Sequence, residues 1–131
     1  MIRSFLSFVE EDLNLVNLFR GQAINENNDL EFADYSIKEP FDNSNTNYIG
    51  RGILNQIKMS HITICLYGQS TYTSKWVEWE LKKTLELRKP IMGVCLYSDG
   101  RVQYYPAILK NQLRIAWNIS EIVNNMRQLT K

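Results

Sequence analysis

The residue best placed for chemistry is Glu80, in the run Ser74-Lys75-Trp76-Val77-Glu78-Trp79-Glu80. From Ser74 onward the pattern is helical, with Val77, Leu81, Thr84, Leu85 and Arg88 falling on one side. Ser74 is a natural N-cap, and Lys89-Pro90 ends the helix. At about 100° per residue, Glu80 lies on the shoulder of that stripe, one turn from Trp76. A carboxylate pressed toward the body of a protein is costly unless it has a partner or a task. The alternative is an exposed ion pair with Lys82 or Lys83, worth only ~0.3–0.5 kcal/mol. Pattern alone favours that alternative.

The elements that must position Glu80 begin with residues 62–67, Ile-Thr-Ile-Cys-Leu-Tyr. This short apolar run, rich in β-branched residues, suits a strand buried on both faces. Gly68, Gln69, Ser70 and Thr71 then break the pattern before the Glu80 helix. Upstream, residues 4–8 read as a strand, and Asp12 can cap a helix carrying Leu15, Val16, Leu18 and Phe19 to about Ala23. A second strand is expected at 30–32. A polar loop follows at 34–47, and a helix from Asn47 turns Ile49, Ile53, Leu54 and Ile57 inward. Downstream, strands are expected at 91–97 and 115–117, with at most a short helix near Pro106. A last helix, capped by Ser120, presents Ile122, Val123, Met126 and Leu129.

Strands alternating with helices predict an α/β fold, a flavodoxin-like three-layer sandwich. Its five-stranded, mainly parallel sheet has the order 2-1-3-4-5. Ligands of such sheets bind beyond the carboxyl ends of the strands, where the strand order reverses. That point lies between strands one and three. Ser7 and Phe8, the loop beginning Asp34-Tyr35, the turn at Gly68, and Glu80 with Trp76 all arrive there. Each has a plainer reading: Ser7 and Phe8 end a core strand, Asp34 and Tyr35 start a turn, and Trp76 packs.

Composition narrows the function classes. The 131 residues predict one domain, 1–131, with 44% hydrophobic and 22% charged content. A net charge of +1 gives no electrostatic footprint for nucleic acid or an anionic membrane. No apolar run approaches ~18 residues, and the start lacks signal-peptide features, so a cytoplasmic protein without membrane spans is expected. Cys65 and Cys95 fall in predicted core strands and read as reduced thiols. Two thiols and the lone His61 make a poor metal set, and no metal site or cofactor is expected. Glu10-Glu11-Asp12 reads as an acidic first helical turn rather than a metal site. Strand three ends in Tyr67-Gly68, without the phosphoacceptor Asp of a receiver domain. No phosphate loop of the G-x-x-x-x-G-K-[ST] type and no G-x-G-x-x-G occurs. His61 precedes strand three, away from the strand ends.

Several segments, in order, resemble Toll/interleukin receptor (TIR) domains. F-L-S-F at 5–8 followed by acidic residues is similar to their first strand. E-F-A-D-Y at 31–35 is similar to their second strand and the start of their long loop. Residues 57–68 are similar to their third strand, and S-K-W-V-E-W-E at 74–80 to the W-x-x-x-E helix with the family's catalytic glutamate. R-K-P-I-M-G-V matches the fourth strand, and Trp117 a Trp often found at the fifth. Within that class the chain resembles bacterial TIR-like proteins of the Thoeris anti-phage defence type.

The resemblance implies a soluble enzyme that cleaves NAD, as substrate and not cofactor, at the nicotinamide–ribose bond. Its product would be a cyclic ADP-ribose isomer or a related derivative, a diffusible second messenger read by a downstream effector. Glu80 would be catalytic, and Ser7, Phe8, Asp34, Tyr35, Gly68 and Trp76 would contact substrate. Val9-Glu10 stand where animal enzymatic members can carry basic residues, so phosphate would need another donor, Arg51 or Lys38. The same resemblance allows a second function, a non-enzymatic scaffold that self-associates through the 34–47 loop. Both expectations can hold together, because TIR sites are often completed by a neighbouring copy.

Overall fold

A computed structural model describes residues 1–27, 29–33 and 43–131, without the side chains of 43–48. The five strands are β1 (Ile2–Ser7), β2 (Leu30–Ala33), β3 (Ile62–Tyr67), β4 (Ile91–Cys95) and β5 (Leu113–Ala116). They form one sheet in the order β2-β1-β3-β4-β5, and all four pairings are parallel. The α/β flavodoxin-like expectation holds. Four helices cover the sheet: α1 (Leu13–Glu26), α2 (Asn43–Lys58), α3 (Lys75–Glu86) and α4 (Ile119–Leu129).

Strand alternation assigns the two faces. Leu6 of β1, Ile62, Ile64 and Leu66 of β3, and Met92 and Val94 of β4 point one way. They pack with Val16, Phe19 and Ala23 of α1 and Ile122, Val123 and Met126 of α4. Phe5 points the other way and meets Ile53 and Ile57 of α2. Cys65, Tyr67 and Ile91 share that second face with Val77 and Leu81 of α3. All six residues of β3 are buried, as expected for the middle strand of a sheet covered on both sides.

Element boundaries moved where tertiary contacts outweighed local pattern. α2 begins at Asn43 rather than Asn47. β4 stops at Cys95, and β5 spans Leu113–Ala116, leaving Trp117 just beyond it. A short 3-10 helix, Ala107–Asn111, follows Pro106 and plants Leu109 in the α3-side core. The expected cap Ser120 is inside α4. Asn118 caps instead, its side chain accepting from the Glu121 N–H. Leu18, one of the apolar residues that α1 carries, is exposed. The 34–47 loop expectation lies largely outside the described residues, which resume with the backbone of Asn43.

Candidate active site

β1 and β3 lie side by side, with Ser7 directly opposite Cys65. Both side chains therefore face α3 at the carboxyl end of the sheet, where the strand order reverses. α3 starts cleanly because the Ser74 hydroxyl accepts from the Val77 N–H. Its buried face is Val77, Glu80, Leu81 and Thr84. This corrects the expected stripe. Leu85 is exposed, and Arg88 lies past the helix end in a left-handed turn with φ 56°. The helix is rolled toward Glu80, which sits inside the buried face and not on its shoulder.

Glu80 is 4% exposed, and the Ser7 hydroxyl donates to its Oε1 at 2.6 Å. Burial pushes its carboxyl up to about 8, and the Ser7 hydrogen bond works the other way. The ion-pair alternative fails because the nearby lysines are engaged elsewhere. Lys82 pairs with Glu78 at 2.8 Å, and Lys83 with Glu86 at 3.1 Å. Among the described residues no cation pairs with Glu80. One turn on, the Thr84 hydroxyl donates to the Glu80 carbonyl at 2.9 Å and lies 2.9 Å from that of Thr63. A buried polar seam thus pins α3 across the sheet. Burial, and then the nearby Glu80, pushes the Cys65 thiol well above its ordinary range, so it stays a neutral thiol.

The other expected residues distribute unevenly. Ser7 meets Glu80 directly. Gly68 follows β3 at the same end of the sheet, and its N–H donates to the Thr71 hydroxyl at 2.8 Å. Trp76 packs against the Phe5, Ile53 and Ile57 cluster and makes an edge-to-face contact with Trp79. Phe8 packs with the α1 and α4 core, on the sheet face opposite Glu80. Asp34, Tyr35 and Lys38 lie outside the described residues. His61 is distant from the strand ends, where its Nδ1 accepts from the Arg3 N–H at the other end of β1.

Asp12 is the residue that sequence reasoning misplaced. It stands where an N-cap would, after a 3-10 turn (Glu10–Asp12), yet its side chain caps nothing. Asp12 is 8% exposed, and its carboxylate folds back onto Gly68. A Cβ at position 68 would lie 2.5 Å from Asp12 Oδ2. Among the described residues Oδ2 has no hydrogen-bond partner. Burial, and then Glu11, raises the Asp12 carboxyl above the usual range. A capping Asp and a buried Asp look alike in sequence; only the glycine across the gap hints at the difference. Beside it, the Ser70 hydroxyl donates to Glu11 Oε1 at 2.7 Å.

The arrangement gives one buried carboxyl group at the reversal point, whose ionisation burial opposes, and a second pressed onto the turn after β3. The fold is that of a flavodoxin-like domain of the TIR class. The TIR domain of the Toll-related receptor TRR-2 from Hydra magnipapillata superposes with a TM-score of 0.68 at 14% identity. That match covers 98% of each chain. A 3-dehydroquinate dehydratase-like protein from Bifidobacterium longum shares the layering less closely, with TM-score 0.60 and 9% identity over 99% of this chain and 96% of that one. Within the TIR class, this chain belongs to the family described as Thoeris protein ThsB, TIR-like domain, which matches residues 5–101. No curated protein matches the chain. Among the described residues no helix is long and apolar enough to cross a membrane.

Proposed function

We propose that the chain cleaves NAD at the nicotinamide–ribose bond, with Glu80 as its catalytic carboxylate, in anti-phage defence. The observation that carries this reading is Glu80 itself. A 4%-exposed carboxylate at the strand-order reversal, held by Ser7 and paired with no cation among the described residues, stabilises nothing by being there. Such a group is retained for chemistry far more readily than for stability. A purely scaffolding role needs only exposed loop and helix surfaces and gives a buried Glu80 no task.

The chemistry fits one carboxylate. Most glycosidases need a second acid for the leaving oxygen. Nicotinamide departs from NAD as a neutral molecule out of a cationic ring, so it needs no proton. The C1′–N bond breaks with its electron pair going to nitrogen, and the positive charge passes to the ribose as an oxocarbenium ion. An ionised Glu80 offsets that charge and accepts hydrogen bonds from ribose hydroxyls. Attack at C1′ by water gives ADP-ribose. Attack by a nucleophile of the adenosine half gives a cyclic isomer, a diffusible product suited to a separate effector. The substrate's own positive charge favours the ionised carboxylate over the neutral form that burial prefers.

The test is nicotinamide release by wild type and Glu80→Gln, alone and with lysate of phage-infected cells. Gln keeps the shape and removes the charge. Release by the variant should fall by ~10²–10³, typical for deleting one preorganised electrostatic partner. Equal turnover in the two proteins would remove Glu80 from the mechanism.

A further inference from the structure

We propose that the outer face of α3 carries a groove for a mononucleotide, on the side of the helix turned away from Glu80. The inference stands apart from the NAD-cleaving reading. Among the described residues the groove is lined by Lys75, Glu78, Trp79 and Lys82, and it holds about 270 Å³. That is just below the ~300–1,000 Å³ usual for small-ligand pockets and suits a single nucleotide. Helical spacing brings the four residues together. Positions 75, 78, 79 and 82 fall within about 100° of one another, and Glu80 lies roughly 150° round from their centre. The two lysines are about 10 Å apart along the axis, with the indole and one carboxylate between them.

Trp79 is half-buried and firmly held. Trp76 meets it edge to face, with ring centroids 5.7 Å apart. On the α2 side its benzo edge sits on Gly50, where a Cβ would lie 3.0 Å from Cζ2 and Cη2. The Lys83 ammonium stands over the ring, 5.6 Å from its centroid. An indole fixed by three neighbours loses little freedom when a base stacks on it.

The charges narrow the ligand. Lys82 pairs with Glu78, but both side chains are exposed, so water and salt weaken the pair. Among the described residues no carboxylate pairs with Lys75, which is also exposed. Two cations against one carboxylate leave the groove positive, as a phosphate requires. Glu78 adds an acceptor that a bare phosphate cannot use, whereas the amino group of a base can. An aromatic ring, an acceptor and an unpaired cation in one groove match a whole mononucleotide better than either half of one.

Adenosine 5′-monophosphate, adenosine and inorganic phosphate are the probes, titrated into the full chain by calorimetry and followed by the indole N–H signals. The monophosphate should bind more tightly than either half, and the Trp79 signal should move. The Trp117 indole, which donates to Gln22 on α1, should stay still. Trp79→Leu should weaken the monophosphate by about 5- to 100-fold, the range for one stacked base. Lys75→Ala, an exposed change that leaves the core intact, should weaken it by roughly 2- to 5-fold and flatten its salt dependence. Inorganic phosphate should respond to Lys75→Ala and not to Trp79→Leu. Glu80→Gln should bind the monophosphate as wild type does, whether or not the protein cleaves NAD, so the failure of either reading leaves the other in place. Phosphate or adenosine binding as tightly as the monophosphate overturns the proposal. So does the absence of saturable binding, or binding unaltered in both groove variants.

Discussion

Replacing Glu80 with Gln should stabilise the protein while it removes the activity, and the gain should grow with pH. In the folded chain the Glu80 carboxyl titrates near 8, against an ordinary value of 4.5. Unfolded, it ionises near the ordinary value. Below that pH both states hold the proton and Glu80 contributes no pH dependence. Between the two values the unfolded state has lost its proton and the folded state keeps it, so folding loses ground with every unit. Above about 8 the loss is complete. The difference of about 3.5 units corresponds to roughly 5 kcal/mol at ~1.4 kcal/mol per unit, of which about 3 is already felt at neutral pH. Gln cannot ionise and escapes this loss. Urea unfolding of both proteins from pH 4 to 9 measures it. The wild-type-minus-variant difference should flatten below about pH 4.5 and should move steadily in favour of the variant from there up to about pH 8. Subtraction cancels the opposite trend of carboxylates such as Asp29, which Arg127 holds below the usual range. A difference that stays flat across the series would mean that Glu80 is solvated or paired, and the argument for its role would fall with it.

Two further outcomes follow from neighbouring contacts. Ser7→Ala removes the one hydrogen bond that draws the Glu80 carboxyl down. The pH at which nicotinamide release rises, and the midpoint of the stability loss above, should both shift to higher pH; an unmoved midpoint refutes the counterweight. Gly68→Ala should destabilise by about 1–3 kcal/mol, the usual cost of forcing a group into a filled space, because its Cβ would meet Asp12. Denaturation in an Asp12→Ala background should show most of that cost gone, and an undiminished cost would place the strain elsewhere.

Much of the architecture was legible without coordinates. The nearly all-apolar run from Ile62 to Tyr67 suited a strand covered on both faces, as observed. The alternation of strands with helices around it left few topologies open. That in turn located the reversal point, and with it Ser7, Gly68 and Glu80. Local pattern was weakest at element ends. Asn118 and Ser120 are both good capping residues two positions apart, and docking of Ile122, Val123 and Met126 on the core decided between them.

The state of each carboxylate was a tertiary decision. A helical period places Glu80 only to within the width of a face. A roll of α3 that exposes Leu85 and buries Glu80 is set by Thr84 meeting Thr63 and by Leu81 entering the core. Likewise nothing in Glu10-Glu11-Asp12 says that one carboxylate holds Ser70 while its neighbour turns inward. Phe8 lies on the far face with Leu6, where alternation after Ser7 puts it. Sequence fixes which groups can titrate or donate, since that is covalent chemistry. Whether they do so at neutral pH depends on water and partners within a few ångströms. Residues as far apart as Ser7 and Glu80 supply those only once the chain has folded.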